Sequence, residues 1–295
     1  IVVDQFTSRY VEAYGHQWSA GLARLFTTGA QFPLAAYSYG YTVTCAGHHT
    51  IGTGTVPATH GLIGNDWYDR AAGRSVTCTL APSVAPVGFG GGLVSEHHAP
   101  VWLRTSTFAD ELRLQATRPP RILSLSLKAR SAIGLAGHAG PNTMVVWEED
   151  NGTWATSEAY TQTAWPEVDD YVKRHPIAAG YGQTWDRAMP ASRYLYDDDV
   201  PQEPAVRVFP HSLASKSGKP DNSFVSQWER SPWSDAYLGD MAGALAERLK
   251  LVMDTLVAAR ERRHNLHLAT EMSSFRAGTI MAEEFVSGNW ISDNE

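Results

Sequence analysis

The fold is indicated by a short apolar segment near the middle of the chain, Arg-Ile-Leu-Ser-Leu-Ser-Leu at residues 121–127, followed by Lys128-Ala129-Arg130. Its leucine side chains predict a buried strand. Helical spacing precedes this segment at residues 107–116. The strand–helix–strand rhythm predicts an α/β sheet, in which ligands usually bind at the carboxyl ends of the strands.

Three charged residues are expected at such strand ends. Lys128 and Arg130 follow the central apolar segment, and Asp4 ends the apolar run Ile1-Val2-Val3, which predicts a second buried strand. Lys128 and Arg130 would alternate along an extended segment, so that both could face one anion. Arginine offers a planar fork for two oxygens, and lysine a compact point charge. Solvated surface charge is the structural alternative for both.

Composition limits the classes of function. The chain has 295 residues, 43% of them hydrophobic and 19% charged, which is enough for a large core. The formal net charge of −7 argues against general binding to nucleic acid or to an anionic membrane. No apolar run is long enough to span a bilayer. An anionic substrate would therefore need a local positive site.

A second informative stretch, Thr-Val-Thr-Cys-Ala-Gly-His at residues 42–48, contains a candidate nucleophile. Thr44 opens a predicted helix over residues 44–51 and precedes the small residues Ala46 and Gly47. A helix N-terminus favours an anion, because its backbone N–H groups point outward. An ordinary helix-capping threonine is the structural alternative. Cys45 and Cys78 allow either one disulfide or two buried thiols.

The rest of the chain predicts further elements. Helical spacing runs over residues 9–26 and again over 235–272, and a hairpin is predicted around the Asn151-Gly152 turn. The glycine-rich residues 85–92 predict a loop rather than a dinucleotide-binding turn. Residues 141–225 predict an inserted lobe with long loops, between a core at 1–140 and a return helix and tail at 226–295. Asp197-Asp198-Asp199 is either a cation site or a solvated loop, and Asn151-Gly152-Thr153 is either a glycosylation sequon or only the hairpin turn.

Several separated motifs carry a resemblance that covers residues 1 to about 250. The chain resembles the amino-terminal half of the bacterial periplasmic, monomeric alkaline phosphatases with a threonine nucleophile. These belong to the alkaline phosphatase superfamily and are related to the nucleotide pyrophosphatase/phosphodiesterases. The motifs are Ile-Val-Val-Asp-Gln (1–5), Thr-Val-Thr-Cys-Ala-Gly-His (42–48), Gly-Thr-Val-Pro-Ala-Thr-His-Gly (54–61), Gly-Asn-Asp-Trp-Tyr-Asp-Arg (64–70), Ala-Asp-Glu-Leu-Arg (109–113), Ser-Leu-Lys-Ala-Arg-Ser-Ala-Ile (126–133), Ala-Gly-His (136–138), Phe209-Pro210-His211 and Ser231-Pro232-Trp233.

The resemblance implies a three-layer α/β/α sandwich with a mostly parallel sheet and an inserted cap lobe. It implies two Zn²⁺ ions, one of them bound by Asp4 and by Thr44, whose hydroxyl would attack phosphorus and become phosphorylated. Asn65 would donate its side-chain amide to a phosphate oxygen, assisted by the backbone N–H of Cys45. Lys128 and Arg130 would also contact the phosphate.

The resemblance also implies metal ligands that the sequence does not supply in the expected pattern. The family uses an Asp with a His four positions later, an adjacent Asp-His pair and one further His, whereas this chain has no Asp-His dipeptide. His264 and His267 are either replacement ligands or part of an exposed basic helix, and His48, His60 and His138 belong to structural turns in the resemblance. Two explanations stay open: a fragment or disrupted form of a longer enzyme, or a short natural relative with an altered or lost site.

The functional expectation is hydrolysis of phosphate monoesters through a phosphothreonine intermediate. A monoester carries about two negative charges at neutral pH, and the cationic pair Lys128 and Arg130 favours it over a diester. A phosphodiesterase or nucleotide pyrophosphatase is the alternative, and a catalytically silent protein is the third. We expect a small-molecule phosphate ester as partner, no nucleic acid, no membrane span, a monomer, and a periplasmic or secreted location. The chain begins at Ile1 without a Met, so we expect it to start after a removed or absent segment.

Overall fold

The structure, a computed structural model, describes residues 1–32, 35–194 and 208–249. In these ranges the α-helices are α1 (Ser8–Tyr14), α2 (Gly21–Thr28), α3 (Thr44–Thr53), α4 (Pro57–His60), α5 (Phe108–Gln115), α6 (Ala129–Ala136), α7 (Pro166–Arg174), α8 (Asn222–Glu229) and α9 (Pro232–Leu249). The strands are β1 (Asp66–Asp69), β2 (Arg74–Thr77), β3 (Pro86–Gly88), β4 (Ile122–Ser126), β5 (Thr143–Glu148), β6 (Trp154–Ser157), β7 (Thr184–Trp185) and β8 (His211–Ser212). None of the described helices combines the length and the apolar character that a membrane span requires.

The central sheet has four strands in the order β3-β6-β5-β4. The predicted strand at 121–127 is confirmed as β4, which lies parallel to β5, with α6 between them in the chain. The β5–β6 and β3–β6 pairs are antiparallel. The described sheet is therefore mixed, and the expectation of a mostly parallel sheet is wrong for it. The reason is the short connection at Asn151-Gly152, because a tight hairpin can join only antiparallel strands.

Strand β5 is buried along its whole length, and its alternating side chains divide two cores. Val145 and Trp147 pack with α6, whereas Met144 and Val146 pack with side chains of α7, α8 and α9. Helices therefore cover both faces of the sheet. This confirms the predicted α/β class and its three-layer arrangement.

Helix α3 packs against α6 through two glycines. A Cβ atom on Gly52 would collide with the backbone carbonyl oxygen of Gly134, and a Cβ on Gly134 would crowd His48 and His49. The two helices can approach this closely only because both positions lack a side chain. Gly54 then ends α3 in the left-handed region, at φ 65°. This crossing fixes α3, and with it the position of Thr44, relative to the sheet.

Two expectations for the amino-terminal region are wrong. Ile1–Asp4 is not a strand, because it forms no β-ladder with another described strand, and Ile1 is exposed. Residues 9–26 form two helices instead of one, interrupted by a 3-10 turn at Gly15–Gln17 and by extended Trp18. The ring of Trp18 packs 5.9 Å from Phe6 and 5.2 Å from Phe26, measured between centroids. This aromatic cluster joins α2 to the residues that precede α1.

Two other local predictions, one of a helix and one of a hairpin, are confirmed. The helix expected at 107–116 is α5, and Thr107 and Asp110 form a reciprocal capping box at its start. The predicted hairpin is β5–β6. Residues 85–92 are not only a loop, because they include the edge strand β3. The boundary predicted at residue 141 does not coincide with the sheet, since β5 and β6 lie beyond it and pair with the core. Asp197-Asp198-Asp199, His264 and His267 lie outside the described residues.

The glycine contact between α3 and α6 generates a stability prediction. Gly52→Ala should lower the free energy of unfolding by about 1–3 kcal/mol, because overpacking forces two backbones apart. Urea unfolding measures this change. Gly40→Ala is the matched control, since no atom lies within 4 Å of a Cβ built at Gly40, and its unfolding midpoint should stay near that of the wild type. Equal midpoints for the two variants would contradict the proposed role of the crossing.

Candidate active site

Thr44 is the first residue of α3. Val43 before it is extended and makes no side-chain cap, and the first turn of α3 contains no acidic residue. The partial positive charge of the helix dipole is therefore available to an anion. The Thr44 hydroxyl donates a hydrogen bond of 3.2 Å to Oδ2 of Asp4. The structure thus brings together the two residues predicted to share one metal ion.

Asn65 lies beside the same helix end. Its side-chain Oδ1 accepts the backbone N–H of Cys45 at 2.9 Å, and its backbone carbonyl accepts the N–H of Cys78 at 2.9 Å. With Oδ1 engaged, the amide Nδ2 is the group of Asn65 that can donate to a ligand. The Cys45 N–H was predicted to donate to phosphate, but in this structure it donates to Asn65.

A disulfide joins Cys45 to Cys78, so the two cysteines are not buried thiols. Both are buried and pack with Leu62 and Leu103. Because Cys45 directly follows Thr44, the bond ties the start of α3 to the chain after β2. Asn65 hydrogen-bonds to both cysteines of this bridge, which fixes its side chain close to Thr44.

The predicted cationic pair lies at the start of α6. Lys128 follows β4 in an extended conformation, but Arg130 is already in the first turn of the helix. The two side chains therefore do not alternate along one extended segment, because the chain turns into α6 at Ala129. The Nε of Arg130 is buried and has no hydrogen-bond partner among the described residues. It is a donor that a bound anion could satisfy.

Lys128 is paired with carboxylates that the sequence analysis did not assign to the site. Its Nζ lies 2.9 Å from Oε1 of Glu229 and 3.3 Å from Oδ1 of Asp150. Burial alone would lower the pKa of Lys128, but the charges of Glu229, Asp150 and Glu148 raise it overall. The position of Glu148 near Lys128 could be predicted, since Glu148 ends β5 and Lys128 follows the parallel neighbouring strand β4. Glu229 was not, since it is 101 residues from Lys128.

A second group missed by the sequence analysis is Tyr37. Burial, together with the nearby Tyr39 and Asp4, raises the pKa of Tyr37. A Cβ atom on Gly47 would stand 3.6 Å from the Tyr37 hydroxyl. The tyrosine therefore lies near the Asp4 side of the helix end, and no local pattern in the sequence pointed to it.

The histidines near the site make structural hydrogen bonds. Nδ1 of His48 contacts the Thr44 carbonyl at 2.9 Å, and buried His60 lies 3.1 Å from the Thr50 hydroxyl. His138 contacts Asp110 and the Leu103 carbonyl. His49 is also buried, and burial lowers its pKa to about 4. All three histidines named by the resemblance make structural contacts, although His48 lies within α3 and His60 ends α4 and neither is in a turn.

The fit to a metal ion is incomplete in the part of the chain that the structure describes. Asp4 and Thr44 place two oxygen ligands together, but these residue ranges contain no group of three or more His, Cys, Asp or Glu side chains that could hold a metal. Catalytic zinc sites usually have three protein ligands and one open position. The described residues by themselves therefore do not form a complete zinc site.

Comparisons with known proteins agree with this geometry. The sequence model of the type I phosphodiesterase / nucleotide pyrophosphatase family matches residues 1–226. The chain is 34% identical over 267 residues to the alkaline phosphatase PafA of Elizabethkingia meningoseptica, covering 87% of this chain and 47% of that protein. Crystal structures of wild-type PafA and of a four-residue variant match with TM-scores of 0.72 and 0.76 at 29% and 28% identity, each covering 85% of this chain and 49% of the other. The chain thus spans about half the length of the relatives that it matches.

The disulfide beside Thr44 generates a prediction about stability. Reduction should lower the free energy of unfolding by about 3–4 kcal/mol, as expected for a cross-link that closes a loop of this length. The two cysteines are 33 positions apart. Guanidinium unfolding with and without a reductant measures the change. The double variant Cys45→Ser/Cys78→Ser should unfold at the same denaturant concentration in both conditions; a wild-type protein equally indifferent to reductant would contradict the prediction.

Proposed function

The chain belongs to the type I phosphodiesterase / nucleotide pyrophosphatase family, in the alkaline phosphatase superfamily, and we propose that the protein hydrolyses phosphate monoesters with Thr44 as nucleophile. The observation that carries the proposal is the hydrogen bond between Thr44 and Asp4 at the amino end of α3. It combines an oriented hydroxyl with a helix end that favours an anion.

The reaction has two steps. The Thr44 oxygen forms a bond to phosphorus while the bond to the ester oxygen breaks, which releases the alcohol and leaves a phosphothreonine. A water molecule then attacks the same phosphorus, releases inorganic phosphate and restores the hydroxyl. Asp4 orients the Thr44 hydroxyl, and the Asn65 amide Nδ2 and the positive end of the α3 dipole stabilise charge on the phosphoryl oxygens.

The solved variant of PafA supports the choice of residues. In that variant a threonine is replaced by serine, and an asparagine, a lysine and an arginine are replaced by alanine. In that numbering the threonine and asparagine are 21 positions apart, as are Thr44 and Asn65, and the lysine and arginine are two apart, as are Lys128 and Arg130. The same four residue types thus recur with the same spacing within each pair.

A Zn²⁺ requirement is part of the proposal. Asp4 and Thr44 would be two of the protein ligands, and the others would come from outside the described residues. We infer a periplasmic or secreted location from the Cys45–Cys78 disulfide, since such bonds persist in oxidising compartments. A small phosphate ester is the substrate class, because the cations are few and local in a chain of net charge −7.

The preference for a monoester rests on Lys128 and Arg130. A monoester has more terminal charge than a diester, and Arg130 offers a buried N–H without a protein partner among the described residues. A phosphodiesterase is the second candidate, because the matching family is that of the type I phosphodiesterases. It is also favoured by the two carboxylates next to Lys128, which reduce the positive charge offered to a dianion.

Thr44→Ala should lower the turnover of p-nitrophenyl phosphate by at least about a thousandfold, because removal of a nucleophile cannot be compensated by binding. Thr44→Ser keeps a hydroxyl and serves as the matched control, with measurable turnover. Steady-state release of p-nitrophenol, with and without added Zn²⁺, gives both rates. A Thr44→Ala protein as active as the wild type would exclude the mechanism, and a wild type without turnover would favour a catalytically silent protein.

Lys128→Ala and Arg130→Ala should separate the two candidate substrates. Each should lower kcat/KM for p-nitrophenyl phosphate about tenfold to a hundredfold, the cost of one charge-assisted hydrogen bond. Hydrolysis of bis-p-nitrophenyl phosphate should change much less. Lys173→Ala removes an exposed lysine paired with Asp169 and is the control. Equal losses for both substrates, or a wild type that prefers the diester, would favour the phosphodiesterase.

A further inference from the structure

A group of three carboxyl side chains surrounds the Lys128 ammonium. Glu229 at the end of α8 lies 2.9 Å from Nζ, and Asp150 from the β5–β6 turn lies 3.3 Å from it. Glu148 at the end of β5 is the third carboxyl group, and its charge would act on Lys128 if it ionised. The side chain of Asp150 is 84% exposed, so solvent screens its charge, but that of Glu229 is only 15% exposed.

Glu148 is the buried member of this group, with 3% of its surface exposed. One of its oxygens, Oε1, accepts the Gly152 N–H at 2.8 Å. The other, Oε2, is buried and has no hydrogen-bond partner among the described residues. Glu229 is the neighbouring carboxyl group that acts on the Glu148 side chain. Two adjacent ionised carboxylates would repel each other, whereas a proton on Oε2 would turn it into a donor to Glu229.

We propose that Glu148 keeps its proton and shares it with Glu229 in a hydrogen bond, and that this carboxyl pair is the positioning element that holds Lys128 after the end of β4 for binding an anion. The second half of the statement rests on the function proposed above for Lys128. With the proton present, Glu229 and Lys128 carry one charge of each sign. Loss of the proton adds a buried negative charge next to the ammonium, and this charge repels a phosphate dianion.

The titration of Glu148 supports the geometry and gives the direction of the pH effect. Burial, followed by the neighbouring Glu229, raises the pKa of Glu148 from 4.5 to about 10. Below the ordinary carboxyl pKa, Glu148 is protonated in both the folded and the unfolded chain. As the pH rises towards 10, the unfolded chain releases this proton and the folded chain keeps it, so Glu148 lowers stability progressively. A neutral isostere at this position removes that penalty.

The first experiment does not depend on any enzymatic activity. Glu148→Gln keeps the size of the side chain and supplies a permanent N–H donor towards Glu229. The melting temperature of Glu148→Gln minus that of the wild type should be larger at pH 9 than at pH 5 by about 3 °C or more. The reason is that the raised pKa of Glu148 lowers the stability of the wild type over this pH range, whereas the variant has no such group. Glu111→Gln, on the exposed face of α5, is the control and should show the same difference at both pH values.

The proton on Glu148 can also be detected directly in the wild-type protein. In wild type labelled with ¹³C at the glutamate carboxyls, one resonance should keep the chemical shift of a protonated acid at neutral pH, and that resonance should be missing in Glu148→Gln. Ionisation of every glutamate below about pH 6 would overturn the shared proton, as would a melting difference that does not depend on pH.

The second experiment tests the link to Lys128. The affinity for inorganic phosphate, measured by calorimetry, should fall in the wild type between about pH 8 and pH 10.5. The fall in affinity should be about tenfold smaller in Glu148→Gln, because the glutamine has no proton to lose. Parallel pH profiles for the two proteins would overturn the positioning role. Protein that shows the shared proton but binds no phosphate at any pH would overturn the assignment of Lys128 to an anion site, and would leave the carboxyl pair in place.

Discussion

The hydrogen bond from the Thr44 hydroxyl to the Asp4 carboxylate joins residues 40 positions apart, and the account of the site depends on it. Three features of the fold hold Thr44 in place. The glycine crossing fixes α3 on α6, the disulfide anchors the residue after Thr44, and Asn65 accepts the N–H of that same residue. A hydroxyl held in this way has lost most of its freedom before substrate binds, and such preorganisation favours nucleophilic attack.

The electrostatics of the site combine one helix end with a few compensated charges. The chain carries a net charge of −7, so attraction of an anion cannot come from its overall field. The amino end of α3 provides the positive end of a helix dipole, and Arg130 provides a buried donor. Lys128, by contrast, is already paired with Glu229 and Asp150. In the proposed function, the balance between Lys128 and its carboxylates would determine how strongly the site favours a dianion over a monoanion.

The sequence predicted those parts of the structure that local patterns determine. The apolar run at 121–127 predicted β4, the helical spacing at 107–116 predicted α5, and Asn151-Gly152 predicted the hairpin. The strand predicted from the run Ile1-Val2-Val3 is wrong, because a strand needs a hydrogen-bonding partner that no local pattern reveals. The environment of Lys128 could not be predicted either, since it depends on Glu229, which tertiary packing brings from 101 residues away. The family motifs predicted that Asp4 and Thr44 lie together, but not that Cys45 would donate its N–H to Asn65.

The most direct measurement concerns the covalent intermediate. Protein quenched with acid during turnover of p-nitrophenyl phosphate can be digested and sequenced by mass spectrometry, since a phosphothreonine ester survives acid. The account predicts one phosphorylated residue, Thr44. Turnover in which the phosphoryl group is found on another side chain, or on none, would contradict it.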